Sequence, residues 1–369
     1  MNDNTIPDAP EVWSFTSLSQ VRTCPLQWQL RHLRNGARGS TRNPRALEGQ
    51  IVHETLDSLF KILVRAGLPT VGSPEFAEAI LSFAPHQVVA ARMRAEDLKG
   101  LQRGFVPLRW TKSIQGLIND VVLLIRQQYA PSDEMRASLL RVSTAALTPV
   151  AELGTELRKQ GFLSEIELRH PALALKGTLD LVALRDGAIV VVDFKTGRAA
   201  EEHARQVLLY SLLWWRVTGE VPARAELVYP NEMKAVAVSA AELAQLERDL
   251  IVEMHAFTDS LGQVGEARKG LHCRYCAPRG HCDAYWSPPP MTSGGIVDVE
   301  FRPVGPRGFA SLPIRLEKGA DATLVFAPDS PTIAGLPVEA KRVRALGVAT
   351  RAKDVYEVTS YSSLHIVES

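Results

Sequence analysis

The chain has 369 residues, of which 46% are hydrophobic and 22% charged, and its formal net charge is +1. This composition is ordinary for a soluble globular protein, and the length allows two or three domains. The longest apolar runs are too short to cross a bilayer, which excludes a helical membrane protein. A net charge near zero also excludes nucleic-acid binding by overall charge, so any such binding depends on local patches.

The first residues contain neither the basic nor the apolar region of a secretory signal, so we expect a cytoplasmic protein. Two helices are predicted next. Ser14 is placed to cap a helix within residues 14–35, which Pro25 should interrupt and restart at Cys24. Apolar residues at helical spacing predict another helix over residues 45–66.

The connection between these helices is rich in arginine. From Arg22 to Arg45 the chain carries six arginines and no acidic residue. Such a patch can bind the phosphates of a nucleic acid, although a solvated surface is the better explanation when the patch is taken alone. The residues that we expect to contact DNA are Arg22, Arg31, Arg34 and Arg38.

Residues 73–160 are predicted to be largely helical, with helix starts at Ser73 and Ser132. Nothing in this stretch indicates chemistry, so we interpret it as a helical insertion. The pattern then changes to strands, two of which form a hairpin because Asp186-Gly187 tolerates positive φ. The predicted strands are 162–168, 177–184, 188–195, 225–229 and 235–238, and the helices among and after them are 201–217 and 240–261.

After Ser287 the composition shifts to proline, serine and glycine, which predicts a linker at residues 288–295. Residues 296–369 show strand patterns only. Such a short all-β segment predicts a small closed barrel of the OB-fold kind, which would bind nucleic acid or act as an interaction module. The strands are predicted at 296–304, 312–316, 322–327, 341–349 and 355–366.

The chain has four cysteines, one near the N-terminus and three in a C-x2-C-x5-C cluster. This distribution predicts one site that the fold closes, because unrelated core cysteines rarely cluster in this way. Four thiolates hold either an iron–sulfur cluster or a structural zinc ion. Two disulfides are the alternative, and they would need an oxidising compartment. The four residues are Cys24, Cys273, Cys276 and Cys282.

A pair of carboxylates and a lysine lie on the predicted hairpin. Asp180 ends Gly177-Thr178-Leu179-Asp180, and Asp193 and Lys195 share one face of the next strand. Charged groups on a buried strand are costly unless they serve one another or a cation. Two aspartates supply the hard oxygen ligands of Mg²⁺ or Mn²⁺, and the lysine would hold a water or stabilise phosphoryl charge. The alternative is a structural ion pair at a strand end.

Further polar residues point to the same place. Gln206 and Tyr210, four residues apart, share one face of the next helix and would orient the lysine, a water or a phosphate. His53 is a plausible additional metal ligand from a separate helix. Alternation puts Glu165 and Glu167 on one face of the preceding strand, and Glu167 is the one we favour as a site residue.

Taken together and in this order, His53, Gly-x-x-Asp180, Asp193-Phe-Lys195 and Gln206-x3-Tyr210 resemble the PD-(D/E)XK nuclease superfamily in its RecB-like branch. The spacing of the cysteines resembles the iron–sulfur subgroup, which includes AddB-type nucleases and CRISPR-associated RecB-like exonucleases. The resemblance spans roughly residues 14–287. The β tail lies outside it, and the long helical insertion is unusual for it.

The resemblance implies a restriction-endonuclease-like α/β fold, with a mixed sheet flanked by helices, in a nuclease domain at 1–287. It implies that His53, Asp180 and Asp193 bind Mg²⁺ or Mn²⁺ and that Lys195 positions the attacking water. Gln206 and Tyr210 would support the lysine and the DNA. The four cysteines would hold a [4Fe–4S] cluster, with zinc as the alternative.

Two functions follow as hypotheses. The first is a metal-dependent deoxyribonuclease that acts on single strands or duplex ends. Because the sequence lacks a G-x4-G-K-[ST] phosphate loop, unwinding would need a separate helicase or ATPase as partner. The second is a catalytically silent DNA-binding or scaffold subunit of a repair or defence complex. The residues alone do not distinguish DNA from RNA as substrate.

Overall fold

The structure is a computed structural model, and it describes most of the chain. The described residues are 10–32, 44–67, 69–102, 110–129, 153–196, 200–261, 263, 265–287, 295–306, 308, 310–317, 319–326, 342–359 and 362–368. None of the helices within these ranges is long and apolar enough to cross a membrane.

The N-terminal helices begin and end where the sequence predicts. Helix α1 (Phe15–Thr23) starts at a capping box, in which Ser14 and Ser17 each accept a hydrogen bond from the other's backbone N–H. Cys24 is extended, and helix α2 (Pro25–His32) restarts at the proline. This break is confirmed, and it leaves Cys24 at the junction of the two helices.

Helix α3 and the first three helices of the insertion form one layer, whereas the last helix of the insertion packs in the core on the opposite face of the sheet. Helix α3 (Pro44–Arg65) is followed by α4 (Pro74–Phe83), α5 (Pro85–Gln102), α6 (Ile114–Gln128) and α7 (Leu153–Gln160). Ser73 caps α4, as predicted, with its hydroxyl accepting from the Phe76 N–H. The predicted helix start at Ser132 lies outside the described residues. Where the structure describes the insertion, it is helical as expected.

A five-stranded mixed sheet forms the centre, in the order β1-β2-β3-β4-β5. Its strands are β1 (Phe162–His170), β2 (Leu175–Arg185), β3 (Ala188–Phe194), β4 (Arg224–Tyr229) and β5 (Glu232–Ala237). Neighbours are antiparallel except β3 and β4, which are parallel and joined through helix α8 (Glu201–Thr218). Asp186 (φ 51°) and Gly187 (φ 73°) make the predicted turn between β2 and β3.

Helices cover both faces of this sheet, which explains why β3 is almost continuously apolar. Val190, Val192 and Phe194 pack on the α3 side, together with residues of α6. Ile189 and Val191 pack on the opposite side, against α8 and helix α9 (Ala240–Ser260). The mixed α/β class with a helix-flanked sheet is therefore confirmed.

The C-terminal residues form a closed five-stranded barrel, in which β10 pairs with both β8 and β9. Strand β11 extends the barrel by pairing with the first half of β9. The predicted OB-like barrel is confirmed, but the strand predicted at 355–366 is two strands with different partners. The strands are β6 (Ile296–Pro303), β7 (Ser311–Leu316), β8 (Asp321–Phe326), β9 (Arg342–Ala352), β10 (Val355–Val358) and β11 (Ser363–Glu368).

The loop that carries three cysteines is also the surface on which the barrel rests. This loop consists of two short 3-10 helices and helix α10 (Asp283–Trp286). Arg344 of β9 is 2% exposed and donates to the Gly280 carbonyl at 3.1 Å and to Asp283 at 2.6 Å. Arg279 of the loop reaches in the other direction to Asp298 of β6, at 2.8 Å.

Candidate functional site

The predicted carboxylate site lies where β2 and β3 separate. Their ladder begins at the pair Leu181–Val192. One residue beyond it, the Oδ2 atom of Asp180 accepts the backbone N–H of Phe194 at 2.7 Å, in place of a ladder bond. The other oxygen, Oδ1, lies 3.3 Å from Nδ1 of His53 on α3. The structure thus joins a helix and two strands at one carboxylate.

Asp193 and Lys195 lie on the α8 side of the sheet, as alternation predicts. The Lys195 ammonium is 2.6 Å from Asp193 Oδ2 and donates to Gln206 Oε1 at 2.8 Å. The Gln206 amide in turn donates to the Tyr210 hydroxyl at 2.8 Å. Lys195 is 15% exposed, so the lysine points into the site and not outward.

Glu165 joins this site, although strict alternation did not single it out. Among the described residues, the donor atoms of His53, Glu165 and Asp180 form a group in which all lie within 4.8 Å of one another. Glu165 has a left-handed backbone, with φ at 47°, at the point where β1 would pair with Asp180. Glu167, which the sequence favoured, is exposed and lies outside this group.

The left-handed residue explains why sequence reasoning chose the other glutamate. In a regular strand Glu165 and Glu167 would face the same way. A positive φ interrupts the alternation locally, and a glutamate rarely adopts it without tertiary support. The only signal for Glu165 in the sequence is that a glutamate stands opposite Asp180. That signal can be recognised only when the register of the two strands is known.

Burial and the closeness of the carboxylates shift the pKa values of the titratable groups at the site. Burial and the charge of Asp180 raise the pKa of Asp193, and Lys195 offsets this only in part. Burial also raises the pKa of Glu165 to about 7, with a further contribution from Asp180. Burial lowers the pKa of His53, but the charge and hydrogen bond of Asp180 outweigh it and raise that pKa to about 8.

These residues fit a divalent cation. Three carboxylates and an imidazole offer the hard oxygen and nitrogen ligands that Mg²⁺ or Mn²⁺ takes in proteins. Asp193 Oδ2 is buried and, within the described residues, accepts no hydrogen bond of good geometry despite the nearby ammonium. A cation would relieve both the unsatisfied oxygen and the repulsion between Asp180 and Asp193.

Two glycines allow the elements of the site to approach closely. A Cβ at Gly177 would lie 2.9 Å from the Tyr210 ring and 3.1 Å from a Leu213 methyl. A Cβ at Gly49 would lie 3.0 Å from the Thr196 hydroxyl, directly after Lys195. Gly177 therefore sets how near α8 comes to β2, and Gly49 does the same for α3.

Comparison with known proteins shows the family to which this chain belongs. The sequence profile of the PD-(D/E)XK nuclease superfamily matches residues 12–283. The chain belongs to the PD-(D/E)XK nuclease superfamily. Nucleases of this superfamily use divalent metals, in agreement with the carboxylate-rich site.

The comparisons with solved structures and with curated proteins give less information about this chain. Fifteen chains of solved structures match this chain, among them one titled "Crystal structure of SSO0001" with 21% sequence identity. That match covers 44% of this chain and 76% of the other, with a TM-score of 0.24. No curated protein matches the chain.

The four cysteines of this superfamily member line one cavity. All four are free thiols, so the structure contains neither of the alternative disulfides. Cys24 and the three loop cysteines border the cavity together with Arg268, Lys269 and Arg279 among others. The backbone N–H of Arg268 points to the Cys24 sulfur at 3.5 Å. The N-terminal helices and the loop therefore meet at the thiols, as predicted.

Burial and mutual repulsion disfavour the ionised form of the thiols unless a cation is bound near them. Burial and the neighbouring thiolates raise the pKa of Cys276 to about 12 and also raise that of Cys282. Among the described residues, no three of these sulfurs lie within 4.8 Å of one another.

The arginines expected to contact DNA differ in their surroundings. Arg22 makes a two-point ion pair with Glu253 of α9, at 2.5 and 2.7 Å, so its charge is largely neutralised. Arg31 is exposed at the end of α2. Arg34 and Arg38 lie outside the described residues.

Proposed function

We propose that this chain is a metal-dependent deoxyribonuclease that hydrolyses phosphodiester bonds. The observation that carries the proposal is the position of Lys195, held between Asp193 and Gln206 beside the His53–Glu165–Asp180 group. A purely structural ion pair would not need a second set of half-buried carboxylates nearby. Superfamily membership supports the same reaction class.

Each residue has a role in this proposal. His53, Asp180 and Asp193 would hold Mg²⁺ or Mn²⁺, with Glu165 as a further ligand. The ion, when bound, supplies the positive charge that polarises the phosphodiester and favours attack by water. Lys195 would orient that water and stabilise negative charge on the phosphoryl oxygens. Gln206 aligns the lysine, and Tyr210 fixes Gln206 through its hydroxyl.

We place the protein in the RecB-like branch and assign a [4Fe–4S] cluster to Cys24, Cys273, Cys276 and Cys282. The order of the motifs and the one cavity that all four cysteines line support this assignment, with zinc as the alternative. A visible iron–sulfur absorbance in protein purified without oxygen, lost in Cys276→Ala, is the expected result. Colourless protein that contains stoichiometric zinc would reject the cluster and leave the nuclease proposal intact.

Single-stranded DNA or duplex ends are the proposed substrates, in the cytoplasm and with a separate helicase or ATPase. The absence of a phosphate-loop motif from the sequence supports the need for such a partner. We propose the nuclease domain at 1–287 and the barrel at 296–369 as separate units, with the barrel as a second surface for nucleic acid or a partner.

Cleavage assays with single-stranded DNA, duplex DNA and RNA test the reaction. Lys195→Ala should lower DNA cleavage with Mg²⁺ or Mn²⁺ by on the order of 100-fold or more, because a preorganised charge at the reacting phosphate is lost. Lys99→Ala is the matched control, since Lys99 is exposed and pairs only locally with Glu96. Wild-type protein that binds DNA but cuts no substrate would leave the DNA-binding scaffold as the function.

A further inference from the structure

A second polar pair lies beside the lysine, and none of the roles assigned above uses it. The Nδ1 atom of His203, in the first turn of α8, lies 2.8 Å from the hydroxyl of Tyr229. Tyr229 ends β4 and is only 3% exposed, whereas His203 is half-buried. A buried tyrosine whose hydroxyl forms a hydrogen bond with one histidine holds that imidazole in a defined orientation.

The pair borders the site on the side away from the metal ligands. Strand β3 has β2, with Asp180, on one side and β4, with Tyr229, on the other. The backbone N–H of Lys195 donates to the carbonyl of Val228, the residue before Tyr229, at 2.8 Å. His203 also precedes Gln206 by three residues on the helix, so both lie on the face turned to Lys195.

The hydrogen bonds determine which imidazole nitrogen carries the proton. Burial raises the pKa of Tyr229, so its hydroxyl keeps its proton, while the backbone of Ala200 hydrogen-bonds to its oxygen and offsets this rise only in part. The tyrosine proton is then directed to Nδ1 of His203, and Nε2–H becomes the free donor. Burial and the charge of Lys195 lower the pKa of His203, which keeps the ring neutral.

We propose that His203 is a phosphate-binding residue of the nuclease site, which donates from Nε2–H to the phosphate next to the one that is cut. The ligand class is a phosphodiester of the bound strand, and the inference rests on the proposed nuclease function. The carboxylates cluster on the β1–β3 side of Lys195. A strand that crosses the sheet edge therefore places its next phosphate on the β4 side, where Lys195 and His203 offer donors.

Steady-state cleavage by His203→Ala is the first test. A lost hydrogen bond to a charged phosphate should raise KM about 10-fold and leave kcat within about twofold. Tyr229→Phe, which frees the imidazole without removing it, should raise KM by less. His255→Ala is the matched control, because His255 is an exposed histidine on α9 away from the site. An unchanged KM in folded His203→Ala protein would overturn the proposal.

Methylphosphonate scanning identifies the phosphate. Single-stranded oligonucleotides that carry one uncharged methylphosphonate at successive positions are compared with wild type, His203→Ala and His203→Gln. At the position next to the cut, the methylphosphonate should raise the wild-type KM about 10-fold and have no further effect on His203→Ala. Additive losses at every position would overturn the assignment. Failure of wild type to cut any oligonucleotide would instead reject the nuclease function itself.

Discussion

At the scale of residues, the proposed metal site contains a buried carboxylate that its surroundings stabilise only in part. Asp193 is 1% exposed and repelled by Asp180, and its lysine partner compensates only in part. Elsewhere the chain buries a carboxylate with full compensation: Glu226, also 1% exposed, contacts both Arg185 and Arg224. The contrast between two buried acids in one sheet separates a functional from a structural carboxylate.

Amide substitution of these two acids should therefore change stability in opposite directions. Asp193→Asn removes a repelled charge, so metal-free protein should gain about 1 kcal/mol in the free energy of unfolding and lose cleavage. Glu226→Gln removes a well-paired charge and should lower the free energy of unfolding. Urea unfolding in the absence of divalent ions measures both. Destabilisation by Asp193→Asn equal to that by Glu226→Gln would contradict this view of the site.

The raised pKa values of Glu165 and His53 predict how stability depends on pH. The folded pKa of Glu165 is about 7 against an ordinary 4.5, and that of His53 is about 8 against 6.5. Both groups bind protons more tightly when folded, so their contribution to stability is present at low pH and is lost as pH rises through these folded values. The Tm of metal-free wild type should fall more steeply than that of Glu165→Gln between about pH 4.5 and about pH 7, the ordinary and the folded pKa of Glu165. Equal slopes in circular-dichroism melts would contradict this.

At the scale of elements, helix α8 is the part that connects strand β2 to the lysine. It carries His203, Gln206 and Tyr210 on one face, and Tyr210 packs on the bare backbone of Gly177. The Gly-x-x-Asp pattern therefore combines two features: the aspartate is the proposed metal ligand, and the glycine provides the space in which α8 approaches.

Gly177→Ala should displace the helix and not the aspartate. The added methyl meets Tyr210 and Leu213, so we expect a loss of about 1–3 kcal/mol in stability and at least 10-fold slower cleavage through misplaced Gln206. Gly116→Ala, in α6, is the control, because its added Cβ would make contacts no closer than 3.5 Å. Cleavage at the wild-type rate by Gly177→Ala would show that the helix position is not critical.

At the scale of the whole molecule, the cysteine loop lies between the N-terminal helices and the barrel. Arg268, just before the loop, donates from its guanidinium to the Arg22 carbonyl at 2.9 Å, and Cys24 borders the same cavity as the loop cysteines. The barrel contacts the loop through Arg344 and Asp298, and a Cβ on Gly280 would clash with His365 of β11 at 2.6 Å. The proposed cluster therefore lies where the N-terminal helices and the barrel meet.

Arg344→Ala should release the barrel from this loop. It removes the buried guanidinium that donates to the Gly280 carbonyl and pairs with Glu300, which should cost about 1–3 kcal/mol in the free energy of unfolding. Arg315→Ala is the control on the same barrel, because the Arg315–Asp321 pair is exposed and screened by solvent, so its loss should change stability little. Urea unfolding gives the energies, and an increased radius of gyration in X-ray scattering would report release. Equal, small effects of both substitutions would contradict the proposed docking.

Much of this protein was predictable because its signals are local. Pro25 interrupts a helix by lacking an N–H, Asp186-Gly187 turns the chain, and period-two alternation puts Asp193 and Lys195 on one face. Spacing along α8 likewise predicted that Gln206 and Tyr210 act together. Such inferences need only the geometry of one element, so they hold before the elements are assembled.

The tertiary structure decided what depends on distant partners. The left-handed backbone of Glu165 exists because the strands around it are already paired, and no local pattern announces it. Arg22 and Arg31 look alike in sequence, but only Arg22 meets Glu253, which lies far along the chain. The sequence by itself determined which elements form and which faces carry charge. Burial and long-range pairing determined which of those charges are free to act, since both depend on the assembled chain.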